Sequence, residues 1–491
     1  MQQHSIKKNT IYNAIKTFSS IIFPLITFPY VSRVLLAENI GKVNFGLSII
    51  SYFSLIATLG ITTHAIRECS AVRNNKEKLG QVASQIFSIN VFTTVFAYVL
   101  LAFTLLFFRK LDNYRTLIVI QSLSILLTTL GADWLNSAME DFQYITLRTV
   151  SFQLLSLILM FVLVREPEDY LKYAVVSLVS SSGANIVNIW YRKRFCKVRF
   201  TLRIDWRTHL SPIVFLFVML LAQQIFSHVD STMLGLMCGD REVGIYATAQ
   251  KVNHIVSQVV SSVLWVIMPR MSYLFAEKNY TEINRLLRKL LGFNILLGLP
   301  CAVGLMALAE DVILILAGPS FIDAAIVLKI RTLSFVFALF GGNLLGNAIL
   351  LPSKQEKYYM FACVITAVIN VITNYLFIPS YGAVAAAGTT ALCSFLMLII
   401  LAFRVDKNIQ FKRVTNLIIP PVVGCVGIVV MCTAFSNVDP LFLRVILSIG
   451  SSVALYALTQ IVLKNEVALE VVSFILSRLR RTSDNQTEKE R

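Results

Sequence analysis

Residues 82–108 read VASQIFSINVFTTVFAYVLLAFTLLFF, without a single Asp, Glu, Lys, Arg, His, Pro or Gly. At about 1.5 Å of rise per residue such a helix is about 40 Å long, more than the roughly 30 Å of hydrocarbon in a bilayer. A helix satisfies its own backbone in that medium, so the stretch predicts a membrane span. Its flanks agree: Arg67, Arg73, Lys76 and Lys78 precede it, and Arg109 and Lys110 follow.

The same ruler, moved along the chain, finds fourteen candidate spans. They are Ile11–Arg33, Val43–Ala65, Val82–Phe108, Thr116–Ser137, Thr146–Val164, Tyr173–Trp190, Ser211–Leu236, Val243–Met268, Leu290–Ala309, Val327–Leu351, Tyr358–Ile378, Ala383–Phe403, Asn416–Phe435 and Leu441–Leu463. Charge supplies an independent check. With the N-terminus inside, alternate connections carry most of the 44 Lys and Arg, among them Arg192, Lys193, Arg194, Lys197, Arg199, Arg203 and Arg207 in the longest basic loop. That is the positive-inside pattern, and removing one span would scramble it from that point onward.

Composition fits. The 491 residues are 56% hydrophobic and 14% charged, with a mean hydropathy of +0.71. Lipid is therefore the expected solvent, and no polar stretch is long enough for a separate soluble catalytic domain. The net charge of +17 is explained by cations beside apolar spans facing membrane lipids; no basic stretch is interleaved with stacking aromatics in a polar domain, which argues against nucleic acid. The eight cysteines have no metal or redox spacing. Met1–Thr10 is polar, and the apolar segment after it is too long for a signal-peptide core, so it is expected to stay as the first span.

The connections divide the chain into an N-terminal bundle with its basic loop (1–205), a second bundle (206–405), two further spans (406–465) and a tail (466–491). The tail's apolar residues Val467, Val471, Phe474 and Ile475 predict a surface helix on the inner side, followed by disorder.

Ionisable groups at membrane depth are costly, about 2.5–3.5 kcal/mol on insertion scales, and are expected to face a partner or a wet cavity. Lys16, Asp133, Asp230, Lys251, Lys329 and Arg331 are the candidates. Asp230 and Lys251 lie at similar depth on consecutive antiparallel spans, each within a polar stripe: Gln223, Ser227 and Asp230 on one, Lys251, His254, Gln258 and Ser261 on the next. They can form a structural ion pair or serve a substrate or coupling ion. Lys16 either snorkels to the inner headgroups or faces a cavity, and Arg33 is either an interfacial anchor or a cavity cation. Lys329 and Arg331 fit anchors at a span mouth. Asp133 fits a helix-end group better than a proton carrier. Asn343 with Asn347, and Asn370 with Asn374, are i, i+4 pairs of the kind that join helices. His64, His228 and His254 stand isolated, so no metal is expected. Phosphate-loop, nucleophile-elbow and zinc-protease motifs are absent, so neither a catalytic residue nor a cofactor is predicted.

Several stretches together resemble the Wzx-type polysaccharide flippases of the multidrug/oligosaccharidyl-lipid/polysaccharide exporter superfamily. They are Pro29-Tyr-Val-Ser-Arg33-Val-Leu-Leu, Gly41-Lys-Val-Asn-Phe-Gly46 and Ala65-Ile-Arg67-Glu68; Asp133-Trp134 through Glu140-Asp-Phe-Gln-Tyr144; Val229-Asp230, Met233-Leu-Gly235, Val243-Gly-Ile-Tyr246 and Ala249-Gln-Lys251; then Asn370–Asn374, Ile378-Pro-Ser-Tyr-Gly382 and Ala385-Ala-Ala387. The resemblance implies an all-α membrane protein of two six-helix bundles around a central cleft, plus two C-terminal helices, with both termini inside. The implied cargo is an undecaprenyl-diphosphate-linked oligosaccharide, an O-antigen or similar repeat unit, moved to the periplasmic leaflet of a bacterial inner membrane by alternating access. Arg33, Arg67, Asp230 and Lys251 stand at charged motif positions. Lys16 joins Arg33, Arg67 and Lys251 as a candidate substrate cation, Asp230 and Asp133 are candidates for ion coupling or structural pairing, and Gln223, His254, Gln258, Asn347, Asn370 and Asn374 are candidate cleft lining. H+ or Na+ coupling and association with a glycan polymerase complex are compatible with this reading. Two rivals remain: a cation-coupled multidrug exporter of the same superfamily, and a membrane glycan polymerase or ligase, which the short external connections disfavour.

Overall fold

The protein is described by a computed structural model covering residues 6–410 and 414–470 together with Ser473; beyond its first residues the expected tail, 466–491, lies outside them. The elements in order are α1 (Ile6–Thr58), α2 (Ile61–Ala71), α3 (Lys76–Phe107), α4 (Arg115–Gly131), α5 (Trp134–Ala138), α6 (Phe142–Leu163), α7 (Tyr170–Leu178), α8 (Ala184–Tyr191), α9 (Trp206–Met237) and α10 (Asp240–Ala276). There follow α11 (Tyr280–Phe293), α12 (Leu299–Ala307), α13 (Ala309–Leu316), α14 (Ala324–Ala338), α15 (Glu356–Ala402), α16 (Thr415–Ala434) and α17 (Leu441–Val462). The described residues contain no β-strand.

Nine helices among the described residues are long and apolar enough to cross a bilayer, or ten when the bent pair Asp240–Ser262 and Ile267–Ala276 counts as one span. The protein is thus an all-helical, multi-pass membrane protein. Its helices turn large apolar side chains outward: on α3, Val99 is 60% exposed and Leu106 70%. On helices of this length and hydropathy such faces suit lipid rather than water.

Two of the nine runs exceed any single crossing. Lys8–Ala71 holds 64 residues and Glu356–Ala402 holds 47, about 96 Å and 70 Å at helical rise. Within them α1 and α15 are each broken at one residue with positive φ, Leu36 (61°) and Gly382 (53°), and the first run is broken again at Leu59 (43°) and Gly60 (75°), between α1 and α2. The sequence reading placed a connection at Leu36 and at Gly382. The helix restarting after each has an amide without an intrahelical acceptor, and each is met from elsewhere in the chain. Ala37 N–H donates to Ser320 Oγ at 3.4 Å, and Ala383 N–H to Glu242 Oε2 at 2.7 Å.

The fourth span is shorter than expected. Its helix ends at Gly131, Ala132 is left-handed (φ 50°), and the separate turn α5 begins at Trp134. Asp133 therefore stands beyond a helix end.

The chain divides into two compact units, the first comprising residues through Ala247 with Leu316–Phe321 and Asn374–Ala383, the second Thr248–Ile315, Ile322–Thr373 and the remainder from Val384. In the first, α1 packs on α3, α4, α6 and α9. An apolar cluster at one end joins Ile61, Ala65 and Cys69 of α2 to Ala83 and Ile86 of α3, Leu135 of α5 and Ile213 of α9.

Close approach sets the geometry at the opposite end of α9. A Cβ on Gly41 would overlap the Asp240 carbonyl, one on Gly244 the Ala37 carbonyl, and one on Gly235 the Phe45 ring. Gly41 and Gly244 are thereby explained as backbone-to-backbone packing, and Gly235 as room for an aromatic ring.

The second unit has its core where Met271 of α10, Leu287 and Leu290 of α11, and Ala362 and Leu401 of α15 meet. Two π-helical segments interrupt it, Asn294–Gly298 and Leu339–Leu350, and Asn294 Nδ2 donates to the Leu339 carbonyl at 3.3 Å, joining their heads. α16 and α17 pack on each other, and α16 on α12.

Candidate functional site

Asp230 sits in the last third of α9 with 2% of its surface exposed. A carboxylate at that depth requires donors. Asn374 Nδ2 donates to Asp230 Oδ1 at 2.6 Å, and the Tyr246 hydroxyl donates to Asp230 Oδ2. Tyr246 and Asn374 are themselves buried. All three belong to the first unit.

The same segments meet twice more, through Cys238 Sγ donating to the Ile378 carbonyl at 3.2 Å and through Glu242 on Ala383. Residues 374–383 are thus fastened to 230–246 at three levels. Two residues on from Asp230 and about half a turn round α9, Thr232 donates to Ser48 Oγ at 2.9 Å and lies 3.2 Å from the Tyr52 hydroxyl. Gln224 Nε2 reaches the Ser51 carbonyl at 3.4 Å. A polar ladder therefore runs between α9 and the second half of α1, inside helices otherwise built of apolar residues. Gln223, named from the sequence, is exposed.

At the other end of the first unit, Arg148 Nη2 donates to Asp133 Oδ1 at 2.6 Å, the arginine side chain 5% exposed and the aspartate 35%. Asn136 Nδ2 reaches Asp133 Oδ1 (3.1 Å) and Asn188 Oδ1 (2.6 Å), and Asn188 Nδ2 donates to the Gly131 carbonyl at 2.8 Å. Asp133 is in this arrangement the anchor for a buried arginine. Lys16 is half-buried on α1. Arg33 is exposed, with Nη1 on the Pro29 carbonyl at 2.7 Å. Arg67 is exposed and pairs with Glu68 at 3.1 Å.

The expectation that His64 is isolated is corrected. Its Nε2 lies 2.8 Å from Nδ1 of His209, whose Nε2 is 3.1 Å from Gln85 Oε1. The signal was undetectable locally because 145 positions separate the two rings.

In the second unit, Lys251 is half-buried and His254 exposed, the latter 2.7 Å from Gln258 Nε2. Asn343 Nδ2 donates to Ser261 Oγ at 2.7 Å, Asn347 is half-buried, and Asn370 is buried. Lys329 pairs with Glu310 at 2.9 Å. Sequence reasoning missed Tyr246 as a partner of Asp230 and Arg148 as a partner of Asp133. No group of three or more His, Cys, Asp or Glu side chains able to hold a metal occurs among the described residues.

The sequence model of the family described as "Polysaccharide biosynthesis protein" matches residues 6–275, and a second, MatE, matches residues 216–376. The chain is 24% identical over 413 residues to a putative O-antigen transporter of Escherichia coli K12, covering 80% of this chain and 96% of that one. It is 22% identical over 405 residues to the capsular polysaccharide biosynthesis protein CapF of Staphylococcus aureus, covering 80% and 97%. Among solved structures it resembles the lipid II flippase MurJ in an inward closed conformation, with TM-score 0.73, 16% identity and coverage of 92% and 98%. A multidrug resistance MATE family transporter, inward-facing, gives TM-score 0.61 at 12% identity, covering 81% and 98%. With a family match over more than half its length, the chain belongs to the polysaccharide biosynthesis protein family.

Proposed function

We propose that this protein is a flippase that carries an undecaprenyl-diphosphate-linked oligosaccharide from the cytoplasmic to the periplasmic leaflet of a bacterial inner membrane by alternating access. The observation that carries the reading is the Asp230–Tyr246–Asn374 cluster, with the Thr232–Ser48–Tyr52 contacts beside it, polar groups held within apolar helices in a member of a polysaccharide biosynthesis family. A diphosphate crossing hydrocarbon unpaired would meet a prohibitive desolvation cost, so the path needs cations for phosphate and hydroxyl and amide groups for sugars. Lys16, Arg33, Arg67 and Lys251 are proposed for the first task, and the polar residues of α9, α10 and α15 for the second. Fourteen spans with both termini inside, arranged as bundles 1–205 and 206–405 followed by two further helices, complete the proposal. H+ or Na+ is the proposed coupling ion, with Asp230 its first candidate carboxylate.

The test is reconstitution of the full chain into liposomes holding a polyprenyl-diphosphate glycan, followed by the glycan's accessibility to an external glycosidase. Leaflet exchange above that of empty liposomes is expected. Exchange equal to theirs, with and without an ion gradient, would overturn the reading. Resistance of overexpressing cells to lipophilic cations, without a glycan phenotype, would replace it by drug export.

A further inference from the structure

The two histidines joined across α2, α3 and α9 are unusual for a membrane protein holding 5 histidines in all. His64 is 2% exposed and His209 4%. Their hydrogen bonds fix where protons stand. Gln85 Oε1 only accepts, so His209 Nε2 carries hydrogen toward it (3.1 Å). A neutral His209 then offers Nδ1 as acceptor, and His64 Nε2 donates to it at 2.8 Å. The remaining nitrogen, His64 Nδ1, is a buried lone pair with no hydrogen-bond partner among the described residues.

We propose that His64 and His209 form a single-proton binding site that ties α2 to the base of α9, and that its occupancy sets the pH dependence of transport; the second half rests on the flippase reading above. The first proton enters at His64 Nδ1. It makes that ring cationic without breaking any bond, and the existing Nε2–H···Nδ1 contact becomes charge-assisted and tighter. A second proton could enter only at His209 Nδ1, where it would replace the acceptor by a donor and set two cations in contact, so the pair takes one.

Among the described residues the charged groups facing the rings are Arg67 and Glu68 on α2 and Asp205 ahead of α9; from α3 comes the neutral Gln85. Burial of both rings is the first obstacle to a charged imidazole; Glu68 on both rings and Asp205 on His209 offset it with negative charge, while His209 and Arg67 add to it at His64. The charge pattern assigns these helix ends to the cytoplasmic side, where ambient pH lies close to the range in which histidine titrates.

The test uses the full chain, labelled with 15N-histidine in phospholipid nanodiscs and titrated from ~pH 8 to ~pH 5 by NMR. One proton is expected for the pair, with His64 changing charge state and His209 responding through the shared bond. In His209→Gln the His64 ring should titrate alone at a shifted midpoint, and Gln85→Leu should shift the pair without unfolding the protein. Two protons taken up independently, or a His64 titration unaffected by His209→Gln, would overturn the site. In liposomes the wild-type flipping rate should change severalfold over that range, and His64→Gln should flatten the profile. A flat wild-type profile would overturn the link to transport even where the titration finds one proton. A wild type that moves no glycan at any pH would instead overturn the flippase reading, and the proton count would still decide the site.

Discussion

Asn374 Nδ2 and Asp230 Oδ1 meet at 2.6 Å although 144 positions separate them in sequence. With Tyr246 on the second oxygen, the aspartate holds residues 374–383 against the end of α9. Asn374→Ala removes a donor from a buried charged acceptor, a change that costs about 1–3 kcal/mol. The unfolding temperature of the purified protein should fall, Tyr246→Phe should lower it similarly, and the double variant should fall by less than the sum because both act on one carboxylate.

Asp230→Asn keeps the side-chain size and removes the charge. If Asp230 serves transport as well as packing, this variant should accumulate to normal levels yet transport poorly, and Lys251→Ala should do the same. Normal transport by both, in cells with normal protein levels, would remove these residues from the functional site.

Gly41 and Gly244 bring backbone against backbone, so a side chain at either must push two helices apart. Overpacking of this kind costs about 1–3 kcal/mol. Gly41→Val and Gly244→Val should each reduce folded protein in the membrane, measured by detergent-resistant fluorescence of a fused reporter. An unchanged yield in both would mean the crossing is looser than its geometry implies.

Gly382 takes φ 53° and ψ −133° at the break in α15, a sparsely populated conformation that costs a residue with a side chain about 1–3 kcal/mol. Gly382→Ala adds to that strain a Cβ that would overlap the Glu242 carboxylate. Glu242→Ala instead strips the acceptor from Ala383 N–H, a cap loss of about 0.5–2 kcal/mol. Both should lower the unfolding temperature, the glycine variant more.

The apolar runs were legible because a bilayer imposes a length and excludes charge, and both leave marks in consecutive residues; their ends were less so, since Val43–Ala65 crosses the break between α1 and α2 and Thr116–Ser137 the one after Gly131. The Gly41, Gly235 and Gly244 motifs were legible as motifs but not as contacts, since only the folded chain shows what each must admit. Leu36 carried no local sign of the break it makes: leucine does not favour positive φ, and Ser320 caps the restart from 283 positions away. The partnerships of Asp230 with Asn374 and of His64 with His209 were hidden for the same reason. A lone polar residue in an apolar span announces that it needs a partner without saying which.

Asp169 offers a prediction outside the spans, in the turn between α6 and α7. Its carboxylate accepts from the Arg165 amide at 2.9 Å and the Glu166 amide at 3.1 Å, and it pairs with Lys172 at 2.6 Å. The Arg165 amide and then Lys172 hold its pKa down, from 3.8 to about 2. A group whose folded pKa lies below its unfolded value stabilises above the unfolded pKa, and the benefit disappears as pH falls through the folded one. The window here is therefore between about pH 4 and about pH 2. The turn it organises bears on α1, because Asn39 Nδ2 donates to the Pro167 carbonyl at 2.7 Å. Asp169→Asn keeps an amide acceptor but loses the charge. At neutral pH it should unfold at a lower temperature than wild type, and the gap should close as the pH drops through that window. A gap that persists unchanged to the acid end would mean that the side chain acts through shape rather than charge.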